Sequence, residues 1–200
     1  MDSAALRRVA EHLKSGGVAV FPTDTVYGIG TAAGSGAGME KIYRLKRRVP
    51  DKPLPLLCAG LQQALPLAEF TPEAWLAASK FWPGALTLVL NTLPPGRSYC
   101  RGGATVGLRV PAHPKLRALI EALGEPLAAT SANISGGPSA ASASEAAATF
   151  GESADYVLAG ATSSCGDSTV MAFTASRPQV LRAGALEPGI VLSYLKSISK

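Results

Sequence analysis

Apolar side chains in this chain follow both helical and strand spacings, and the elements they predict interleave without a regular alternation. Leu6, Val9, Ala10 and Leu13 recur at helical spacing and predict an opening helix over Ser3–Lys14. Asp2 or Ser3 can cap it, and Gly16-Gly17 stops it. Met39, Ile42 and Tyr43 predict a second helix over 39–47, after a glycine-rich break at 34–38. Thr71 caps a helix over Pro72–Phe81 that carries proline in its first turn. Pro114–Leu123 reads as a helix stopped by Gly124, and alanine-rich 142–150 as another. From Pro188 onward, Val191, Tyr194, Leu195 and Ile198 share one helical face. Strands are predicted at 18–21, 54–58, 86–90, 105–110, 127–129, 156–158, 168–173 and Gln179–Arg182, and proline and glycine make 91–103 a long loop. The mixture predicts one α/β domain over 1–200, a twisted mixed sheet flanked by helices, without internal repeats.

The polar residues gather where these strands end. The run at 18–21 is predicted to stop at Pro22, which cannot donate to a ladder, and Thr23, Asp24 and Thr25 follow at once. Tyr27, Gly28 and Gly30 complete a glycine-bearing turn, the kind of place where open α/β sheets hold small molecules. Residues 130–139 form a second polar loop, with Ser131, Asn133 and Ser139 among ordinary turn formers. Alternation along 105–110 puts Thr105, Gly107 and Arg109 on one face, so Arg109 is either paired internally or clamps a carboxylate or phosphate. Asp167, Ser168 and Arg182 also lie at strand ends near glycines, a signal no stronger than turn chemistry.

Charge sharpens the picture. Lys and Arg number 19 against 14 acids, and six of the basic residues crowd between Lys41 and Lys52 with only Asp51 among them. Such a cluster attracts nucleotides, RNA or acidic lipid. Lys46 occupies the i+7 position of the buried stripe begun by Met39, so its ammonium needs an anionic partner inside. Lys46, Arg48 and Lys52 are read as phosphate contacts, and Lys41, Arg44 and Arg47 as a solvated face. Three cysteines without C-x-x-C spacing argue against a disulfide framework or a zinc site and fit a reducing cytosol. No apolar run is long enough for a membrane span, and no signal peptide is expected. Two histidines, His12 and His113, sit in no catalytic context. The G-x-G-x-x-A pattern from Gly28 to Ala33 is followed by more glycine instead of a helix, which argues against a dinucleotide site. The S-x-x-K string at Ser193 is read as chance, and the sequon at Asn133 matters only in a secreted chain.

Several ordered strings together resemble the YrdC-like threonylcarbamoyl-AMP synthases. They are Phe21-Pro-Thr-Asp-Thr-Val-Tyr-Gly-Ile-Gly30, Lys46-Arg-Arg48 with Lys52-Pro-Leu54, Phe81-Trp-Pro-Gly-Ala-Leu-Thr-Leu88, Val106-Gly-Leu-Arg-Val-Pro-Ala-His-Pro114, Ala129-Thr-Ser-Ala-Asn-Ile-Ser-Gly136, Ser168-Thr-Val170 and Leu181-Arg182, spanning about 15–185. The resemblance implies a YrdC-like fold with a concave basic surface. It also implies an enzyme that joins L-threonine, bicarbonate and ATP, with Mg²⁺, into threonylcarbamoyl-AMP and pyrophosphate. The product would serve the N6-threonylcarbamoyl modification of adenosine in tRNA, with tRNA or the transferase machinery as partner. By motif position, Thr25, Arg109, Ala129, Ser131 and Ser168 are expected around threonine. Arg48, Lys52, Thr105, Ser131, Ser139 and Arg182 are expected on ATP. Lys46 and Arg48 are expected at the triphosphate as the catalytic cations, and no side chain is expected to ligate a metal. Leu57 stands where many members have a histidine, and Ala172 lies where many have an acid. The end near residue 200 implies the shorter family form. A non-catalytic RNA-binding module and a carbamoyl-transfer domain of a maturation factor are the competing readings. The first would show exposed aromatics among its basic residues, and Tyr43 alone lies inside the cluster, on the buried face.

Overall fold

The computed structural model describes residues 3–49, 52–163 and 166–198, so Asp2, Asp51 and Cys165 lie outside the described residues. The elements in chain order are α1 (Ser3–Lys14), β1 (Ala19–Pro22), β2 (Tyr27–Ala32), α2 (Gly36–Lys46), β3 (Leu56–Leu57), α3 (Leu61–Ala64), α4 (Pro72–Phe81), β4 (Leu86–Asn91), α5 (Pro94–Tyr99), β5 (Thr105–Arg109), α6 (Pro114–Leu123), β6 (Leu127–Ser131), α7 (Ala143–Phe150), β7 (Tyr156–Val157), β8 (Thr169–Ala172), β9 (Gln179–Arg182) and α8 (Pro188–Ile198). A 3₁₀ turn, Leu65–Leu67, follows α3.

The strands form one nine-stranded sheet in the order β7-β1-β2-β6-β3-β5-β4-β8-β9. The β1–β7, β3–β5 and β4–β8 pairs are parallel and the others antiparallel, so the sheet is mixed. Side-chain alternation sorts the core onto its two faces. One face carries Val20, Ile29, Leu56, Leu88, Leu108, Ala128 and Met171 beneath α2, α4, α7 and α8. The other carries Ala19, Phe21, Leu57, Leu127 and Ala129 beneath α1 and α6. That second helical layer covers only the β1–β2–β6–β3 half of the sheet. Over β5, β4, β8 and β9 the same face is left open, and the candidate site sits there.

Residues 18–21 do not run into an open turn. Pro22 is the last residue of β1, paired with Tyr27, and residues 27–32 return as β2 in an antiparallel hairpin. The turn is therefore only 23–26. Gly28 and Gly30 are strand residues because the sheet is crowded there. A Cβ on Gly28 would lie 2.8 Å from the Phe21 ring, and one on Gly30 would lie 2.9 Å from the Ala128 carbonyl. The G-x-G-x-x-A pattern accordingly lies along a strand and not at the mouth of a helix. Other differences are local. Ser35 caps α2 through the Gly38 N–H, so this helix starts inside the glycine-rich stretch. Prolines at the start of α5 nucleate a short helix within the expected loop. Ile198 is exposed, while Val191 and Leu195 of the same helix are buried.

Candidate substrate pocket

The uncovered half of the sheet floors a cavity of about 340 Å³. Thr87 and Val89 from β4, Thr105, Gly107 and Arg109 from β5, Val170 from β8 and Arg182 from β9 share this face. Leu57, Ala129 and Ser131 close it toward α1 and α6, and the 23–26 turn and Arg48 stand at its rim.

Arg109 is the most deeply placed of the cations that line the cavity, 6% exposed. Its Nε donates to the Gly84 carbonyl, Nη1 to Thr25 Oγ1 at 3.1 Å and Nη2 to Asp24 Oδ1 at 2.7 Å. Burial lowers its pKa, and the adjacent Asp24 carboxylate works against that shift. A guanidinium has five N–H donors. These contacts leave one on Nη1 and one on Nη2 for a ligand.

Arg182 reaches the same cavity from the sheet edge. Its Nε and Nη2 donate to the Ser168 carbonyl and its Nη1 to Asp167 Oδ2. Ser168 and Thr87 share a hydroxyl–hydroxyl hydrogen bond of 2.8 Å. Arg48 is anchored through Nε to the Lys52 carbonyl and through Nη2 to the Pro53 carbonyl. Burial lowers the Arg48 pKa, with Tyr43 opposing.

Eight of the eleven expected residues meet at this cavity: Thr25, Arg48, Thr105, Arg109, Ala129, Ser131, Ser168 and Arg182. Lys46, Lys52 and Ser139 are not in its lining. Lys46 lies beneath it, 1% exposed, and donates to the Ser131 carbonyl (2.5 Å), the Asn133 carbonyl (2.6 Å) and Asn133 Oδ1 (3.0 Å). The buried position matches the helical pattern. The partner is not an anion, however, but a ring of neutral oxygens that uses all three ammonium protons. Burial lowers Lys46 to about 8, Arg48 pushes the same way, and Asp167 opposes. Lys52 is exposed and contributes its carbonyl to Arg48 and Tyr43. Ser139 donates to Asp167 Oδ1 and so steadies the carboxylate that holds Arg182.

Sequence reasoning assigned no site role to Asp24, Thr23, Thr87 or Asn133. Thr87 was within reach, since alternation along β4 puts it on the face opposite Leu86 and Leu88. Asn133 was hidden because its side chain works on its own loop, accepting from Lys46 and Ser131 and donating to the Ile134 and Gly137 carbonyls. Among the described residues no group of three or more His, Cys, Asp or Glu could hold a metal ion.

Guanidinium groups and hydroxyls converge on the open face of a half-covered mixed sheet, which makes the molecule an α/β protein with a polar, cation-lined cavity. The chain belongs to the Sua5/YciO/YrdC family, whose profile, described as telomere recombination, matches residues 11–184. It is 39% identical over 184 residues to a threonylcarbamoyl-AMP synthase of Pyrococcus abyssi, covering 90% of this chain and 54% of that protein. A threonylcarbamoyl-AMP synthase of Bacillus subtilis is 39% identical over 185 residues, with the same 90% and 54% coverage. The crystal structure of P. abyssi Sua5 complexed with L-threonine superposes with a TM-score of 0.89 at 36% identity, covering 97% of this chain and 58% of that one. The chain thus spans about half the length of the curated relatives it matches.

Proposed function

We propose that this chain makes threonylcarbamoyl-AMP from L-threonine, bicarbonate and ATP, releasing pyrophosphate. The observation that carries this reading is Arg109, buried in the cavity with two unspent N–H donors and flanked by the Thr25 hydroxyl. A planar fork of this kind suits a carboxylate, and the Arg48 and Arg182 guanidinium groups suit the phosphates of a nucleotide. The similarity to synthases, one of them solved with L-threonine, supports the same substrate.

In this reading Arg109 holds the threonine carboxylate, with Thr25, Ala129, Ser131 and Ser168 around the amino acid. Thr105, Ser131 and Arg182 hold the nucleotide, Arg48 meets the triphosphate, and together they make the open face a cationic hollow. Lys46 supports Ser131 from below, Lys52 supports Arg48 through its carbonyl, and Ser139 supports Arg182 through Asp167. The threonine amine, once deprotonated to its neutral form, adds to carbon dioxide and loses a proton to solvent, or condenses with bicarbonate and loses water, to give a carbamate. A carbamate oxygen then attacks the α-phosphorus and pyrophosphate departs. Such a transfer needs alignment and charge neutralisation more than a side-chain nucleophile. Among the described residues, Asp167 is the one acid lining the cavity and would be the carboxylate available to Mg²⁺ arriving with the nucleotide. When bound, the ion would neutralise the phosphate charge. The product would pass to the machinery that modifies tRNA. No helix among the described residues is long and apolar enough to cross a membrane.

The test is incubation of the protein with ATP, bicarbonate and threonine. Pyrophosphate release is expected to require threonine and to fall when serine replaces it. Release without an amino acid, or none at all, removes the proposal.

A further inference from the structure

The hydroxyls at the 23–26 turn have only one consistent arrangement of protons. Thr23 Oγ1 lies 2.7 Å from the Val26 carbonyl, which only accepts, so the Thr23 proton points there. Thr23 Oγ1 also accepts from the Thr25 backbone N–H at 3.0 Å. Its remaining contact is Thr25 Oγ1 at 2.9 Å, and with the Thr23 proton already placed, Thr25 must be the donor. Arg109 Nη1, which can only donate, then fills one lone pair of Thr25 Oγ1. The chain is thus directional from guanidinium to Thr25 to Thr23 to the Val26 carbonyl, and both hydroxyls are buried. Thr23 Oγ1 has no valence left. Thr25 Oγ1, in the cavity wall, has one lone pair and no proton to offer.

We infer that Thr23 is a positioning residue that turns the Thr25 hydroxyl into a pure acceptor, so the pocket selects a ligand with a hydrogen-bond donor close to the carboxylate taken by Arg109. This rests on the reading of the ligand as an amino acid. The donor chemistry fits either the β-hydroxyl or the ammonium of threonine. A ligand that brings an acceptor or an apolar group to this point leaves a buried lone pair unmet, or sets two acceptors against each other. It is rejected for that reason and not for its size.

The experiment is calorimetric titration of the full chain with L-threonine, L-2-aminobutyrate, which lacks the hydroxyl, and 3-hydroxybutyrate, which lacks the amine. The wild-type protein is expected to favour threonine over the analogue missing the recognised donor by about tenfold. A penalty confined to 2-aminobutyrate identifies the hydroxyl, and one confined to 3-hydroxybutyrate identifies the ammonium. O-Methyl-L-threonine, an acceptor in place of a donor, is the sharper probe in the hydroxyl case, and N,N-dimethyl-L-threonine at high pH in the ammonium case. In Thr23→Val the Thr25 proton is freed to face the cavity, and discrimination against the methylated probe is expected to fall severalfold. Thr23→Ser is expected to restore it. These are ratios of affinities within one variant, so a general loss of stability does not move them. Thr25→Val, which removes the acceptor itself, is expected to abolish the discrimination and serves if Thr23→Val does not fold. Threonine binding with the wild-type ratio retained in Thr23→Val overturns the inference alone. Absence of threonine binding to the wild-type protein overturns the substrate reading and the inference together.

Discussion

Lys46 carries a charge where the helix pattern calls for an apolar side chain, and its surroundings set the sign of its pH dependence. Its pKa falls from an ordinary 10.5 to about 8, so between those values the unfolded chain binds more protons than the folded one. The free energy of unfolding should therefore rise with pH across that window, by at most about 3 kcal/mol. Urea unfolding of the wild-type protein and Lys46→Met between pH 7 and 10.5 checks this, because only the wild type should show the added rise. The Asp24–Arg109 pair makes a different case. Both side chains are mostly buried, so removing one leaves the other charge uncompensated. Asp24→Ala should cost about 3 kcal/mol or more in unfolding free energy. Arg109→Ala should weaken threonine binding more than ATP binding, and calorimetry with each ligand separates the two. An equal loss of both would remove the carboxylate role of Arg109.

At the level of elements, the sequence was most legible where local rules dominate. α1, α4, α6 and β9 fall on the bounds their patterns predict, because capping residues, first-turn prolines and Gly124 are local signals. Thr71 indeed accepts from the Ala74 N–H as cap of α4. β2 was illegible because glycine, threonine and alanine do not alternate like a half-buried strand. What makes that segment a strand is its hairpin pairing with β1, where Phe21 packs on Gly28 and Gly30, and its pairing with β6, far away in sequence. Gly30→Ala therefore tests the packing directly. A Cβ 2.9 Å from a backbone carbonyl has no flexible neighbour to displace, and the variant should lose about 1–3 kcal/mol in chemical denaturation. The site was legible for a related reason. Parity along β5 placed Thr105, Gly107 and Arg109 together before any fold was known. The helical stripe placed Lys46 inside and the basic cluster marked Lys52, but neither pattern showed that they stop one residue short of the cavity, and Ser139 was placed by motif alone.

On the scale of the whole molecule, the site exists because one helical layer is narrower than the sheet it covers. β9 bounds the open half, and all four of its residues are exposed. A β-bulge near Val170 and Met171 loosens its pairing with β8. The strand that brings Arg182 to the cavity is thus among the least protected parts of the sheet, while Arg109 on β5 is locked near its middle. The two ends of the pocket should open on different timescales. In deuterium exchange, β9 amides should label early in the empty protein and slow sharply with a nucleotide bound, while β5 amides stay slow throughout. A floppy margin beside a stiff centre would let a bulky phosphate-bearing molecule come and go at one end of the cavity without disturbing whatever is held at the other.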